Sequence, residues 1–400
     1  MGKICPMLMF VGALTIYSCT PKNQKTNAET LAPKATTVET EVSFREIPYL
    51  KKAFIDRAPV DRKDGIPVGE LGMDGGNKEL ILKLAQEIAD STYGNFDSFL
   101  IAHKGKLIFE SYYRRGRIDL PHPQASATKA YTSMALGRAI QLGYLTMADL
   151  DKPLVSFLKD LDHTQLVDGV ERITLHQALT MRSGIRLSEE QREEFEKNPG
   201  QLEGQRQVQV FLQHSAPITA ASQSFKYQFD PLLVMQVIDA VVPGSAEDFI
   251  KRELLDKMDI TNYAWEPDVS GLPKAGSRSS MISRDMIKWG ILANNKGIWQ
   301  GERLIPSDFM DRATSKIVDQ SEEYDEPNRG VSGTAYGYLW WQADLSSGGT
   351  SYLSKAARGG SGQNIIVIEA LDLVVVTTTH REVDDTVAVT AERVLPAFTE

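Results

Sequence analysis

The sequence predicts an α+β fold: one antiparallel sheet built from both ends of the chain, flanked by helices, with a mainly helical lobe inserted between them. Two observations predict it. Strand-like runs rich in β-branched and aromatic residues cluster near the start and the end of the folded part, at Phe96–His103, Lys106–Tyr113, Gly337–Ala343, Asn364–Ile368 and Leu373–Thr379. Helical periodicity and helix-capping signals fill most of the stretch between, over about residues 130–330. No internal repeat divides the chain.

The first nineteen residues fall outside this scheme. Lys3 supplies a positive charge, and the apolar stretch Met7–Tyr17 is too short to span a bilayer as a stable helix. Ile16-Tyr17-Ser18-Cys19 resembles the lipobox of bacterial lipoproteins. That resemblance implies cleavage before Cys19 and lipidation of its thiol, and hence a lipid-anchored protein on the periplasmic or cell-surface side of a bacterial membrane. On its residues alone the segment also fits an ordinary signal peptide or an apolar anchor. Residues 20–45, with few large apolar side chains, read as a flexible tether. The folded domain is expected over 46–400.

Within that domain Lys78–Asp90 places Leu80, Ile81, Leu84 and Ile88 on one helical face. Lys104-Gly105 joins the first two strands as a hairpin. A long helix follows Ser126 and stops at Gly143. Thr174-Leu175-His176-Gln177 is a capping box. Further helices are expected at Pro231–Val241, Ala246–Met258, from an N-cap at Ser283 to about Asn294, and at Asp385–Phe398.

Composition narrows the function. The net charge is −9 with no sustained basic run, which argues against nucleic-acid binding. Both cysteines, Cys5 and Cys19, lie in the N-terminal segment. The mature domain therefore has no internal disulfide, no thiolate metal site and no cysteine nucleophile. The histidines form no metal-binding pattern and no glycine-rich phosphate loop opens a helix, so neither metal nor cofactor is expected. The expected partners are a small-molecule or peptide-like substrate and the membrane, and the chain is expected to be a monomer.

The chemistry centres on Ser126-Ala127-Thr128-Lys129. A serine hydroxyl needs a base within hydrogen-bond reach. Residues three apart share a helical face, so the spacing holds the Lys129 amine beside the Ser126 oxygen. A helix N-terminus favours developing negative charge, and burial lowers a lysine pKa toward neutrality. Ser156-Phe157-Leu158-Lys159 has the same spacing but runs into Asp160 and Asp162, and reads as a surface turn with Phe157 and Leu158 packed inward.

The stretch Ala125–Leu145 resembles the nucleophile helix of the serine β-lactamase and penicillin-recognising superfamily, above all class C-related esterases, DD-peptidases and aminohexanoate-oligomer hydrolases. Ordered matches support the resemblance: LDKPLVSFL from Leu150, ITLHQALTMRSG from Ile173, SRDMIKWGILANNKG from Ser283, YGYLWW from Tyr336, and Gly359–Val376. The superfamily implies a proton-handling tyrosine in a Tyr-x-Asn motif, and Tyr227 matches it. Phe229 occupies the Asn position and cannot replace an amide, so Asp230 is expected to take over part of that role. The superfamily's Lys-Thr-Gly is absent. The corresponding edge is Arg358-Gly359-Gly360, with the Gly360 and Ser126 N–H groups as the expected oxyanion hole. Arg358 reads either as a substrate-carboxylate ligand or as a solvated edge charge. His122 is expected to line the pocket, His380 to sit at an exposed strand end, and Trp340 and Trp341 to form core and pocket wall.

These features imply a serine hydrolase acting on an ester or amide. A DD-carboxypeptidase or penicillin-binding cell-wall protein, and a non-catalytic binding protein on the same fold, are the other readings.

Overall fold

The structure is a computed structural model and describes residues 1–2, 32–382 and 384–399. Cys19 and the apolar stretch before it lie outside the described residues.

Nine strands form the main sheet: β1 (Phe54–Asp56), β2 (Phe96–His103), β3 (Lys106–Tyr112), β4 (Val318–Asp319), β5 (Val331–Tyr336), β6 (Trp341–Ser347), β7 (Thr350–Gly359), β8 (Gln363–Ile368) and β9 (Leu373–Thr379). Their order across the sheet is β1-β3-β2-β9-β8-β7-β6-β5-β4, and all pairings are antiparallel. The expected closure of the sheet from both ends is the β2–β9 ladder, with Leu100 opposite Val376 and Ile101 opposite Val375. Both strands are buried along their whole length, which is why they read as nearly continuous apolar runs.

The mainly helical lobe lies between β3 and β4, as expected. Two of its helices fix the site. Ser283–Asn294 lies on β9, β8 and β2, and Gly290 lets it approach: a Cβ there would stand 2.3 Å from Val374 Cγ1. Trp289 on this helix stacks on Tyr131 at 4.8 Å. Tyr131 belongs to Thr128–Gln141, the helix that follows Ser126, and that helix packs on Asp230–Val241.

Four expectations change. The stretch 20–45 is not all tether. Thr37–Glu41 is a helix opened by a Thr36/Glu39 capping box, Glu39 is buried against Arg117 at 2.5 Å, and Ile118 N–H donates to Pro33 O at 2.9 Å. A buried ion pair and backbone bonds fasten this segment, so it needs few large apolar side chains. Ser283 is the first residue of its helix rather than its cap, because its hydroxyl is engaged with Ser98 Oγ at 2.7 Å. The chain turns between Gly337 and Trp340 instead of running straight as a strand, and Leu339 takes φ +61° there. Ala246–Met258 is α-helical only to Ile250, then passes through a π segment to Leu255 and a 3₁₀ turn. No helix among the described residues is long and apolar enough to cross a membrane.

Candidate active site

Ser126 sits in a 3₁₀ turn, Ala125–Ala127, that leads into the helix Thr128–Gln141. Ala125 before it has φ +46°, an uncommon conformation for a residue with a side chain. Its neighbours hold the turn. Gln124 Nε2 donates to His122 O at 2.8 Å, Tyr131 Oη donates to Gln124 Oε1 at 2.9 Å, and Thr128 Oγ1 donates to Ala125 O at 2.7 Å.

Lys129 is the second residue of the helix, so its side chain runs back over the turn. Its Nζ donates to Ser126 Oγ at 2.8 Å and to Gly276 O at 2.9 Å. The residue is buried, and burial lowers its pKa from the usual 10.5 to about 8. In the neutral form the amine keeps a lone pair able to accept the Ser126 proton.

Tyr227 completes the group. Its ring centre lies 4.5 Å from Lys129 Nζ. Burial of the hydroxyl pushes its pKa up, while hydrogen bonding to Ser126, then to Trp341, and the charge of Arg358 act the other way. The ring packs beside Trp341 at 5.7 Å and Tyr336 at 6.0 Å. Ser126, Lys129 and Tyr227 are therefore brought together from two helical segments and a loop.

The end of β7 closes the opposite side. Gly359 is the close-approach residue: a Cβ there would lie 2.2 Å from Gln124 O and 3.2 Å from Ala127 N. The next residue, Gly360, is exposed, and a Cβ there would meet open space. Arg358 is neither fully solvated nor free. Its guanidinium lies 5.5 Å from the Trp341 ring centre and 3.6 Å from Asp384 Oδ2.

Two expected site residues are placed elsewhere. Asp230 is fully buried and accepts from Ser183 N–H at 2.8 Å, Ser183 Oγ–H at 2.9 Å and Gln228 Nε2 at 3.2 Å. It pins the Ser183 turn to the start of its own helix and does not stand in for the missing amide. Burial raises its pKa to about 6. His122 does not line the cleft. Its Nε2 meets Asp97 Oδ2 at 3.2 Å, its Nδ1 meets Pro123 O at 2.9 Å, and Phe44 covers its ring at 4.1 Å. His380 shares the same carboxylate, with Nδ1 2.8 Å from Asp97 Oδ2, and its Nε2 meets Tyr49 Oη at 2.7 Å. It is thus a half-buried side chain that links the buried Asp97 to the exposed Tyr49, rather than an unpartnered strand end. Ser156 and Lys159 are both exposed, and Ser156 Oγ donates to Pro153 O at 2.6 Å.

The sequence reading missed Gly276, which contributes only a backbone carbonyl, and Asp97, whose partners lie 25 and 283 residues away. Neither carries a local sequence signal.

The family model described as Beta-lactamase matches residues 97–397. No curated protein matches at a significant level. Among solved structures, a protein from Bacillus anthracis described as a 6-aminohexanoate-dimer hydrolase superposes with a TM-score of 0.60 at 16% identity, covering 95% of this chain and 98% of its own. A D-stereospecific amidohydrolase from Streptomyces sp. gives 0.55 at 17% identity over 77% and 97%. EstCE1, a hydrolase with promiscuous acyltransferase activity, gives 0.58 at 12% identity over 79% and 98%. These likenesses carry the fold.

Proposed function

The chain belongs to the beta-lactamase family, and from that premise we propose that it is a serine hydrolase forming an acyl-enzyme on Ser126 with an ester or amide substrate. The observation that carries the reading is the 2.8 Å hydrogen bond between Ser126 Oγ and a buried Lys129 whose pKa is lowered to about 8. Burial alone accounts for the lowered pKa; the distinguishing feature is that the same buried amine holds the Ser126 hydroxyl.

The proposed reaction runs in two steps. Neutral Lys129 takes the Ser126 proton as Oγ attacks the substrate carbonyl. The tetrahedral oxyanion is held by the N–H groups of Ser126 and Gly360. Collapse breaks the bond to the leaving group, which receives a proton relayed through Tyr227. Water then attacks the acyl-enzyme and returns the proton to Ser126 as the acid leaves.

Phe229 in place of an amide, and Arg358-Gly359-Gly360 in place of Lys-Thr-Gly, favour esters or linear amides over β-lactams. The amidohydrolase and hydrolase neighbours fit that substrate class. The apolar segment ending at Cys19 supports a further proposal, a lipid anchor that places the domain outside the cytoplasm.

The test is fluorophosphonate labelling and p-nitrophenyl ester turnover by the wild-type protein and Ser126→Ala. Both activities should vanish in the variant, and undiminished labelling would remove Ser126 from the mechanism. Stable labelling by a fluorescent penicillin without ester turnover would assign the penicillin-binding reading instead.

A further inference from the structure

Gln363 begins β8 and stands opposite Gly359, the last residue of β7. The residue is buried, and its side chain spans the turn between the two strands. Its Nε2 donates to Gly360 O at 2.9 Å, and its Oε1 accepts from the Thr379 N–H of β9 at 2.9 Å. A carbonyl at one end and an N–H at the other allow the amide one orientation only. Neither methionine nor an ionised glutamate could make both bonds.

The turn that it spans has an uncommon shape. Gly362 N–H donates to Gly359 O at 3.1 Å, which closes a four-residue turn over Gly359–Gly362. Its third residue, Ser361, has φ +72°, a conformation that type II turns usually assign to glycine. Type I and type II turns differ by rotation of the central peptide, here Gly360–Ser361. A third residue with a side chain favours type I, so the observed orientation needs a bond to hold it. Gly360 O belongs to that peptide, and the Gln363 amide is its partner. The next two carbonyls are held as well: Ser361 O accepts from Thr379 Oγ1, and Gly362 O from Thr377 Oγ1 at 3.0 Å. All four carbonyls of the turn are thus engaged, whereas the N–H groups of Gly360 and Ser361 donate to no acceptor among the described residues. This turn follows directly on Gly359, the residue that lies against Gln124 O and Ala127 N beside the nucleophile.

We propose that Gln363 is a positioning residue for the oxyanion hole: its amide latches the Gly360–Ser361 peptide, so that the turn offers N–H groups and not a carbonyl to the oxyanion formed at Ser126. A rotated peptide would exchange the places of an N–H and a C=O, and the misplaced carbonyl would repel the developing negative charge. The inference rests on the acyl-enzyme reading of Ser126 and adds to it the side chain that keeps the hole in its working form.

The experiment compares the wild-type chain with Gln363→Met, Gln363→Glu and Ile365→Val by single-turnover acylation with p-nitrophenyl acetate and by inhibition with phenylboronate, which forms a tetrahedral adduct on a serine. Ile365 is buried on the same strand, so Ile365→Val controls for lost stability and should acylate like the wild type at a melting point a few degrees lower. In Gln363→Met the acylation rate should fall about tenfold to a thousandfold, the range of a lost oxyanion donor. Phenylboronate affinity should fall by a similar factor, while the dissociation constant of the ester stays within about twofold of the wild type. Gln363→Glu supplies a signature that loss of packing would not give. A protonated glutamate can donate to Gly360 O and accept from Thr379 N–H, whereas the ionised form cannot donate. Its acylation rate relative to the wild type should therefore rise between about pH 8 and pH 5, the range in which a buried glutamate takes up its proton, and this variant decides alone if Gln363→Met does not fold. Acylation within about twofold of the wild type in folded Gln363→Met, or a glutamate-to-wild-type ratio that is flat with pH, overturns the proposal and leaves the Ser126 reading standing. A wild-type chain that neither acylates nor takes up a fluorophosphonate at Ser126 overturns both.

Discussion

A Cβ added to Gly359 would lie 2.2 Å from the carbonyl oxygen of Gln124. The obstacle is backbone on both sides, so no side chain can swing away to make room. Gly359→Ala must therefore push β7 off the nucleophile turn. We expect it to lower stability by about 2 kcal/mol or more and to remove ester turnover. Gly360→Ala, which points into open space, should melt within a few degrees of the wild type. Thermal unfolding of both variants decides this, and an unshifted melting point for Gly359→Ala would contradict the close approach.

Lys129 sets a trade between stability and activity. Its folded pKa of about 8 lies below the unfolded 10.5. Between those values the unfolded chain binds more protons, so this residue makes folding stability rise with pH from about 8 to 10.5. Below pH 8 its full desolvation cost is present. Lys129→Met should then be more stable than the wild type at pH 7, by about 1–3 kcal/mol, while losing turnover. The wild-type acylation rate should climb with pH and level off above about 8, as the neutral amine becomes the main form. Denaturant melts at pH 7 and 10 and a pH–rate profile test both halves. A rate flat from pH 6 to 9 would exclude Lys129 as the base.

Much of this was legible in the sequence, and the reason is locality. The antiparallel sheet from both ends follows from β-branched runs at both ends of the folded part, and Ser126 and Lys129 meet because they share one helical turn. The superfamily resemblance added Tyr227, whose role no periodicity marks. What escaped depends on partners distant in sequence. Asp230 turns to Ser183, 47 residues away, and His122 to Asp97, 25 residues away. Gly276 acts through a carbonyl that every residue possesses. The N-terminal segment looked too polar to fold because its anchor is Glu39 on Arg117, an ion pair that no local pattern announces.

Asp230 gives a stability test of its reassignment. Its folded pKa of about 6 stands above the usual 3.8. The folded state therefore binds more protons between those values, and this residue's contribution is full below pH 3.8 and lost as pH rises through 6. Asp230→Ala would leave the Ser183 N–H and hydroxyl without their acceptor and should cost about 2–4 kcal/mol. It should also flatten the part of the stability–pH curve between about pH 4 and 6 that this group produces. Chemical denaturation from pH 4 to 7 measures it, and an unchanged slope would show that Asp230 ionises normally.

The anchor proposal is tested by Cys19→Ser in the full chain. Wild-type protein should partition into the detergent phase of a cloud-point extraction and incorporate a radiolabelled fatty acid. The variant should do neither, since no other cysteine follows Ser18. Label retained in Cys19→Ser would place the lipid elsewhere.

Tyr227 separates proton transfer from architecture. The residue is 37% exposed, and its ring contributes to the wall with Trp341 and Tyr336. Tyr227→Phe keeps that packing and removes only the hydroxyl, so stability should change by less than about 1 kcal/mol. If the hydroxyl carries the proton to the leaving group, turnover should fall about 10²–10⁴-fold. The loss should be smaller for p-nitrophenyl esters, whose leaving group departs without protonation, than for alkyl esters or amides. That dependence on the leaving group is the signature a merely structural tyrosine would not produce. Equal losses across the series, or none, would leave Lys129 as the sole proton carrier beside Ser126.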